Sequence, residues 1–126
     1  MMIRQLAAVA LGGALGAVMR WLTASAIQRW VGGAFPWGTL AVNALGSFAL
    51  GFLFIWLLER TSSGELLRLA ITVGFLGAFT TFSTFSFESI RLLQAGSFNL
   101  AAVNILGQML LCLPLAWLGV QLARAI

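Results

Sequence analysis

Four apolar runs, each long enough to cross a bilayer and separated by short polar breaks, fill almost all of this 126-residue chain. A helix needs about 20 apolar residues to span the hydrocarbon core. The runs are read at 3–27, 37–58, 66–93 and 98–123, as one four-helix transmembrane domain with no room for a soluble one. Only 8% of the residues are charged, where a soluble domain has about 25%, and Lys, Asp, His and Tyr are absent. Such a chain cannot cover itself with a solvated surface. In lipid the backbone must satisfy its own polar groups, so runs of this length imply an all-α membrane protein.

Within the first run the alternative is a cleaved signal peptide, with Ala24-Ser25-Ala26 as its cleavage site. Arg20 and Trp21 interrupt the approach to that site, which disfavours it. Gly12 and Gly16 form a small-xxx-small face suited to close helix packing. Arg20 is read two ways: as an end residue reaching the interface, or as a positive charge at the mouth of an anion path. Gly32-Gly33 and Pro36 end the helix, and Trp30 and Trp37 are natural interface anchors. In the second run Asn43, Ser47 and Gly51 share one face. The second loop centres on Thr61-Ser62-Ser63-Gly64, and the third on Ala95-Gly96-Ser97. In the fourth run Asn104, Gln108 and Cys112 form a second polar stripe, and Pro114 is a natural kink point. Either stripe serves as interhelical glue or as a pore lining.

The third run holds the least ordinary stretch, Gly74-Phe75-Leu76-Gly77-Ala78-Phe79-Thr80-Thr81-Phe82-Ser83-Thr84-Phe85-Ser86-Phe87-Glu88. A lipid-facing helix would use Leu and Val there. Glycines weaken a helix by roughly 1 kcal/mol each relative to Ala, and Ser and Thr hydroxyls compete for backbone groups. The expectation is a third helix broken near its middle, at Gly77–Thr80. At membrane depth, irregular backbone is tolerated only when buried in protein or lining a watery cavity.

The chemistry this residue set supports is narrow. No His is present, and no carboxylate pair stands at catalytic spacing, so no enzyme is expected. The seven Arg are scattered singly along the chain, which does not read as nucleic-acid binding. Cys112 is the only cysteine, so no intrachain disulfide forms. The three Glu lie at span ends or in loops, whereas a proton-coupled transporter places a carboxylate in the membrane. The interior offers neutral donors: the amides of Asn43, Asn104 and Gln108, and the hydroxyls of Ser47, Thr80, Thr81, Ser83 and Thr84. Phe ring edges are electropositive and can face an anion. A cation route would more often show rings of Asp or Glu. An anion route fits best.

Three segments resemble the small bacterial fluoride channels of the CrcB/Fluc family. They are Gly12-Gly13-Ala14-Leu15-Gly16 with Arg20-Trp21, Pro36-Trp37-Gly38-Thr39-Leu40-Ala41-Val42-Asn43, and Gly74-Phe75-Leu76-Gly77 through Thr80-Thr81-Phe82-Ser83-Thr84-Phe85-Ser86. The resemblance covers the whole chain in length and span number. It implies an antiparallel, dual-topology homodimer in the bacterial inner membrane, with two fluoride pores at the subunit interface. It implies that Asn43 faces the pore, that Phe82 and Phe85 contact fluoride, and that Arg20 lies near a vestibule. It also implies a central structural sodium ion held by backbone carbonyls at Gly77 and Thr80. Ser83, Thr84, Thr81, Asn104 and Gln108 complete the expected pore set. The chain departs from the family pattern in its fourth-helix stripe and at Ala78-Phe79. Passive fluoride export, and so fluoride resistance, is the expected function. The alternatives are a small four-helix drug/proton antiporter and a structural subunit of a membrane complex. Arg4, Arg60, Arg68 and Arg124 fall on one side of the membrane, and Arg29 and Arg91, with Arg20, on the other. So even a split gives the positive-inside rule little to act on, and both insertions are expected.

Overall fold

The structure, a computed structural model, describes residues 1–60, 62 and 64–126. Thr61 and Ser63 of the expected second loop lie outside the described residues. Four helical segments are long and apolar enough to cross a membrane: Met2–Val31, Trp37–Glu59, Glu65–Gln94 and Phe98–Ala125. The first two form α1 (Met2–Val31) and α2 (Trp37–Glu59). The third span is built in pieces: α3 (Glu65–Arg68), a π-helix (Leu69–Leu76), α4 (Gly77–Phe79) and α5 (Phe82–Gln94). The fourth is α6 (Phe98–Ala125), which continues through Pro114.

Helix α1 runs past residue 27 because nothing before Gly32 stops it. Gly32 and Gly33 adopt φ of 75° and 83°, and the Gly32 N–H closes the last turn on Gln28 O. Gln28 then organises the loop. Its Nε2 donates to Gly33 O and Phe35 O, and its Oε1 accepts from Gly38 N (3.2, 3.0 and 3.2 Å). One side chain thereby ties the end of α1 to the start of α2.

Helix α1 packs on the π-helix through glycines. A methyl group at Gly12 would overlap Ala70 O, and one at Gly16 would overlap Phe75 O, so the two backbones touch directly. Helix α2 lies against α6 in the same manner, with Gly51 over Ala116 O. Without a hydrophobic force between helices in lipid, close backbone approach of this kind is a main source of association. Apolar side chains such as Leu11, Leu15, Leu106 and Leu110 stay exposed along the outer faces. The interior is correspondingly small, and Val42 and Asn104 are its largest fully buried side chains.

The third span differs from a plain helix in two places. The π-helix over Leu69–Leu76 has no counterpart in the sequence reading. π-Helical backbone is rare, short and often found at functional sites. Further along, Thr80 (φ −91°, ψ 157°) and Thr81 (φ −152°, ψ 117°) are extended and belong to no helix. The expected opening began at Gly77, but Gly77 is helical, with φ −62° and ψ −36°. β-Branched side chains and competing hydroxyls, rather than glycine, mark where the chain extends. Thr81 caps the next helix, its hydroxyl accepting from Thr84 N at 3.2 Å.

Candidate functional site

The two extended residues lie against Asn43 of α2. Asn43 Oδ1 accepts from Thr81 N (2.8 Å), and its Nδ2 donates to Thr81 O (3.0 Å). The carboxamide thus grips both polar groups of one peptide-chain residue, as a neighbouring strand would. Nδ2 also donates to Gln108 Oε1 of α6 at 3.0 Å. Three elements are therefore joined through one side chain. Room for this contact comes from Gly46, one turn beyond Asn43, where a methyl group would collide with Thr80 Cγ2.

Extending the chain here redirects the backbone bonds around it. In an unbroken helix Thr81 N–H would bond Gly77 O; it bonds Asn43 instead. Ala78 O receives the Arg20 Nε at 2.9 Å. Arg20 is therefore half-buried against the middle of the third span rather than reaching for the interface. Thr80 Oγ1 donates back to Leu76 O (3.1 Å), and Thr81 Oγ1 donates to Thr84 Oγ1 (3.0 Å).

Asn43, Thr80, Thr81, Phe82, Phe85 and Gln108 share a cavity of about 240 Å³, which Ser47 and Cys112 also line. Ser83, Thr84, Asn104 and Arg20 do not line it. The two rings differ sharply: Phe85 is 6% exposed, Phe82 71%, with ring centroids 5.4 Å apart and tilted by 59°. Gln108 is 4% exposed, and its Nε2 lacks a hydrogen-bond partner among the described residues. Cys112 Sγ donates to Gln108 Oε1 at 3.7 Å. Asn104 is completely buried. Its Nδ2 donates to Ser89 Oγ (2.9 Å), and its Oδ1 has no partner among the described residues.

A second cavity, about 530 Å³, lies at the other end of α5 and includes Gln28, Thr39, Glu88 and Arg91. Thr39 Oγ1 donates to Glu88 Oε1, joining α2 to α5. The sequence reading placed Glu88 only at a span end or in a loop. The Arg91 guanidinium lies 6.0 Å from the Phe87 ring centroid. No local spacing links Thr39 to Glu88. What could have found the pair is their shared end: Thr39 sits two residues into α2, and Glu88 follows the broken run toward the same loop side.

The first cavity thus sets the Phe82 and Phe85 side chains beside amide and hydroxyl groups, with no carboxylate in its lining. It suits a small species that needs donors in place of water. The chain matches the family described as "CrcB-like protein, Camphor Resistance (CrcB)" over residues 7–120. It is 52% identical to a Magnetococcus marinus protein named fluoride-specific ion channel FluC, covering 97% of this chain and 99% of that one. Proteins of the same name from Geobacter metallireducens and Geobacter sulfurreducens are 49% and 48% identical, each covering 93% of this chain and 94% of their own.

Proposed function

The chain belongs to the CrcB-like family, and from that membership we infer that it is a fluoride-selective ion channel of the membrane. The observation that carries the reading to particular residues is the cavity bounded by Asn43, Thr81, Gln108 and the two Phe rings. Fluoride is small and strongly hydrated, and stripping its water without replacement costs many kcal/mol. The cavity offers replacement in neutral form. Gln108 Nε2 is a buried N–H group with no partner among the described residues. Ring edges of Phe82 and Phe85 add positive electrostatic potential. A full charge is absent from the wall, which keeps binding weak enough for release. Arg20, bonded to Ala78 O, sets a positive charge beside the third span. Asn43 acts by holding Thr81 extended, so the pore wall depends on it even where both its N–H groups are engaged. Ser83 and Thr84 carry the hydroxyl track on from Thr81, within one turn of it.

The lack of a carboxylate in the lining of this cavity, which could couple to protons, supports passive movement down the gradient. In a bacterial inner membrane this gives fluoride export and resistance. The protein works as an antiparallel homodimer in this reading. Phe82 supports it: a large ring, next to the extended residues, is left uncovered where a second copy would cover it. Gly77 is exposed as well.

The carbonyls of Gly77 and Thr80 fit a structural sodium ion. Gly77 O has lost the Thr81 N–H to Asn43, and Thr80 is extended, so neither oxygen has its helical partner. A neutral, all-oxygen donor set suits a small monovalent cation. When bound, the ion would supply coordination to those oxygens and a fixed positive charge near the anion path. The test is fluoride efflux from liposomes beside chloride efflux. Fluoride flux with chloride retained supports the channel; equal flux of both, or none of either, defeats it.

A further inference from the structure

We propose that Ser89 and Asn104 are positioning residues for Phe85, acting together as a strut between α5 and α6 that holds the Phe85 ring at the cavity wall. This rests on the reading of Phe85 as a ring that meets the ion.

Helix α5 is short, at 13 residues, and begins directly after the extended pair. Its start is fixed by Asn43, which grips Thr81. That grip does not determine how α5 turns about its own axis, and so where Phe85 points. Phe85 lies one turn in, and Ser89 one turn further, on the same face. Ser89 Oγ donates to Phe85 O (2.8 Å) and accepts from Asn104 Nδ2 (2.9 Å). The relay therefore runs in one direction, from α6 through the hydroxyl to the Phe85 carbonyl. All three side chains are buried: Asn104 at 0%, Ser89 at 4% and Phe85 at 6% exposure.

Burial makes the strut stiff. Rotating α5 would leave the Asn104 N–H group without a partner in a place water does not reach, and a buried donor left unpaired is costly. Asn104 Oδ1 already lacks a partner among the described residues. The carboxamide tolerates that deficit while its other end holds Ser89. A residue kept only for packing would be apolar here. Phe82, by contrast, is 71% exposed and its carbonyl accepts from Ser86 Oγ at 2.9 Å, with no link to α6 in that bond. The strut thus acts on one ring of the pair.

The experiment compares Ser89→Ala, Ser89→Ala/Asn104→Leu and Phe85→Ile with the parent protein in liposomes. Each is also labelled with 4-fluorophenylalanine at position 85 (except Phe85→Ile) for fluorine NMR. Ser89→Ala is expected to lower fluoride flux about tenfold, because small displacements at a reacting or binding group cost that much or more, and to broaden or shift the position-85 resonance. The double variant replaces both polar partners by apolar ones, a change that is close to neutral for stability. It should recover the melting temperature while flux stays low and the resonance stays altered. Parent-like flux in Ser89→Ala, with Phe85→Ile inactive, overturns the strut alone. Recovery of flux together with melting temperature in the double variant also overturns it, since the pair would then be packing only. Parent-like flux in Phe85→Ile overturns the reading of Phe85 itself, and the strut with it.

Discussion

Asn43 makes three hydrogen bonds, two to the backbone of Thr81 and one to Gln108. Asn43→Asp keeps an acceptor for Thr81 N but loses the amide donor that Thr81 O and Gln108 Oε1 require. Each buried group left unpaired costs about 1–3 kcal/mol, and a carboxylate there would also repel the permeating anion. Fluoride flux from Asn43→Asp liposomes should fall to near background, while Asn43→Ser, which carries no charge, keeps more. Equal flux from the two would remove Asn43 from the pathway. The two rings divide differently. Phe85→Ile shrinks a buried side chain and should lower both flux and stability, the latter on the order of 1–2 kcal/mol. Phe82→Ile changes a ring that is 71% exposed in the single chain, so flux should fall while the chain's own fold is kept. Parent-like conduction by Phe82→Ile would end its assignment. The placement of these residues beside one another was partly legible in the sequence: hydroxyls among Phe, and an Asn in an apolar run, have few uses in lipid. That Asn104 turns to Ser89 rather than to the cavity was not legible. Periodicity puts it on one face with Gln108 and Cys112, but which neighbour it meets depends on α5, 15 residues away along the chain.

At the scale of elements, the four spans were readable because length and hydropathy decide them. The internal structure of the third span was readable only in part. Glycine lowers helix propensity wherever it stands, so it does not locate an opening; Thr80 and Thr81 do, because Asn43 and Thr84 accept and donate the bonds a helix would have used. The π-helix left no trace, since Leu69-Ala70-Ile71-Thr72-Val73 reads as ordinary helix. What packs on it is more visible in α1: Gly12 and Gly16 bring that backbone against Ala70 and Phe75, on the π-helical stretch itself. A side chain at Gly16 would therefore force α1 away from the third span. Gly16→Leu should destabilise the protein by about 1–3 kcal/mol or more, the usual cost of overpacking, and lower the yield of folded protein in size-exclusion chromatography. A parent-like yield and melting temperature would show that α1 does not depend on this contact.

The whole molecule has an uncovered side. Phe82 and Gly77 both face outward, next to the carbonyls that lost their helical donors. In hydrocarbon an unpaired backbone group is costly, several kcal/mol each, so this side requires a cover. In the proposed pair, a second copy in the opposite orientation would bring the same oxygens to the same place about a dyad, and a closed two-fold contact is the commonest way for a chain to pair with itself. By the four-span count Arg4, Arg60, Arg68 and Arg124 fall on one side and Arg29 and Arg91 on the other, with Arg20 held against Ala78 O, a small difference for the positive-inside rule to act on. A terminal tag should accordingly be reachable from both sides of the membrane in whole cells; access from one side alone would exclude dual insertion. The oxygens of Gly77 and Thr80 from both copies would then enclose one sodium ion. Two features would make that ion structural in the proposed dimer: it would be held by backbone rather than by a mobile side chain, and it would sit between subunits. A cation that binds only the assembled state stabilises it by mass action, by about 2.7 kcal/mol when it is present at a hundred times its dissociation constant. Removing sodium, with a large organic cation in its place, should therefore lower the melting temperature and the fluoride flux together. Restoring sodium should return both, while sodium itself is not carried in a tracer assay. Stability and flux that ignore sodium would exclude the site, and tracer sodium crossing with fluoride would make the ion cargo.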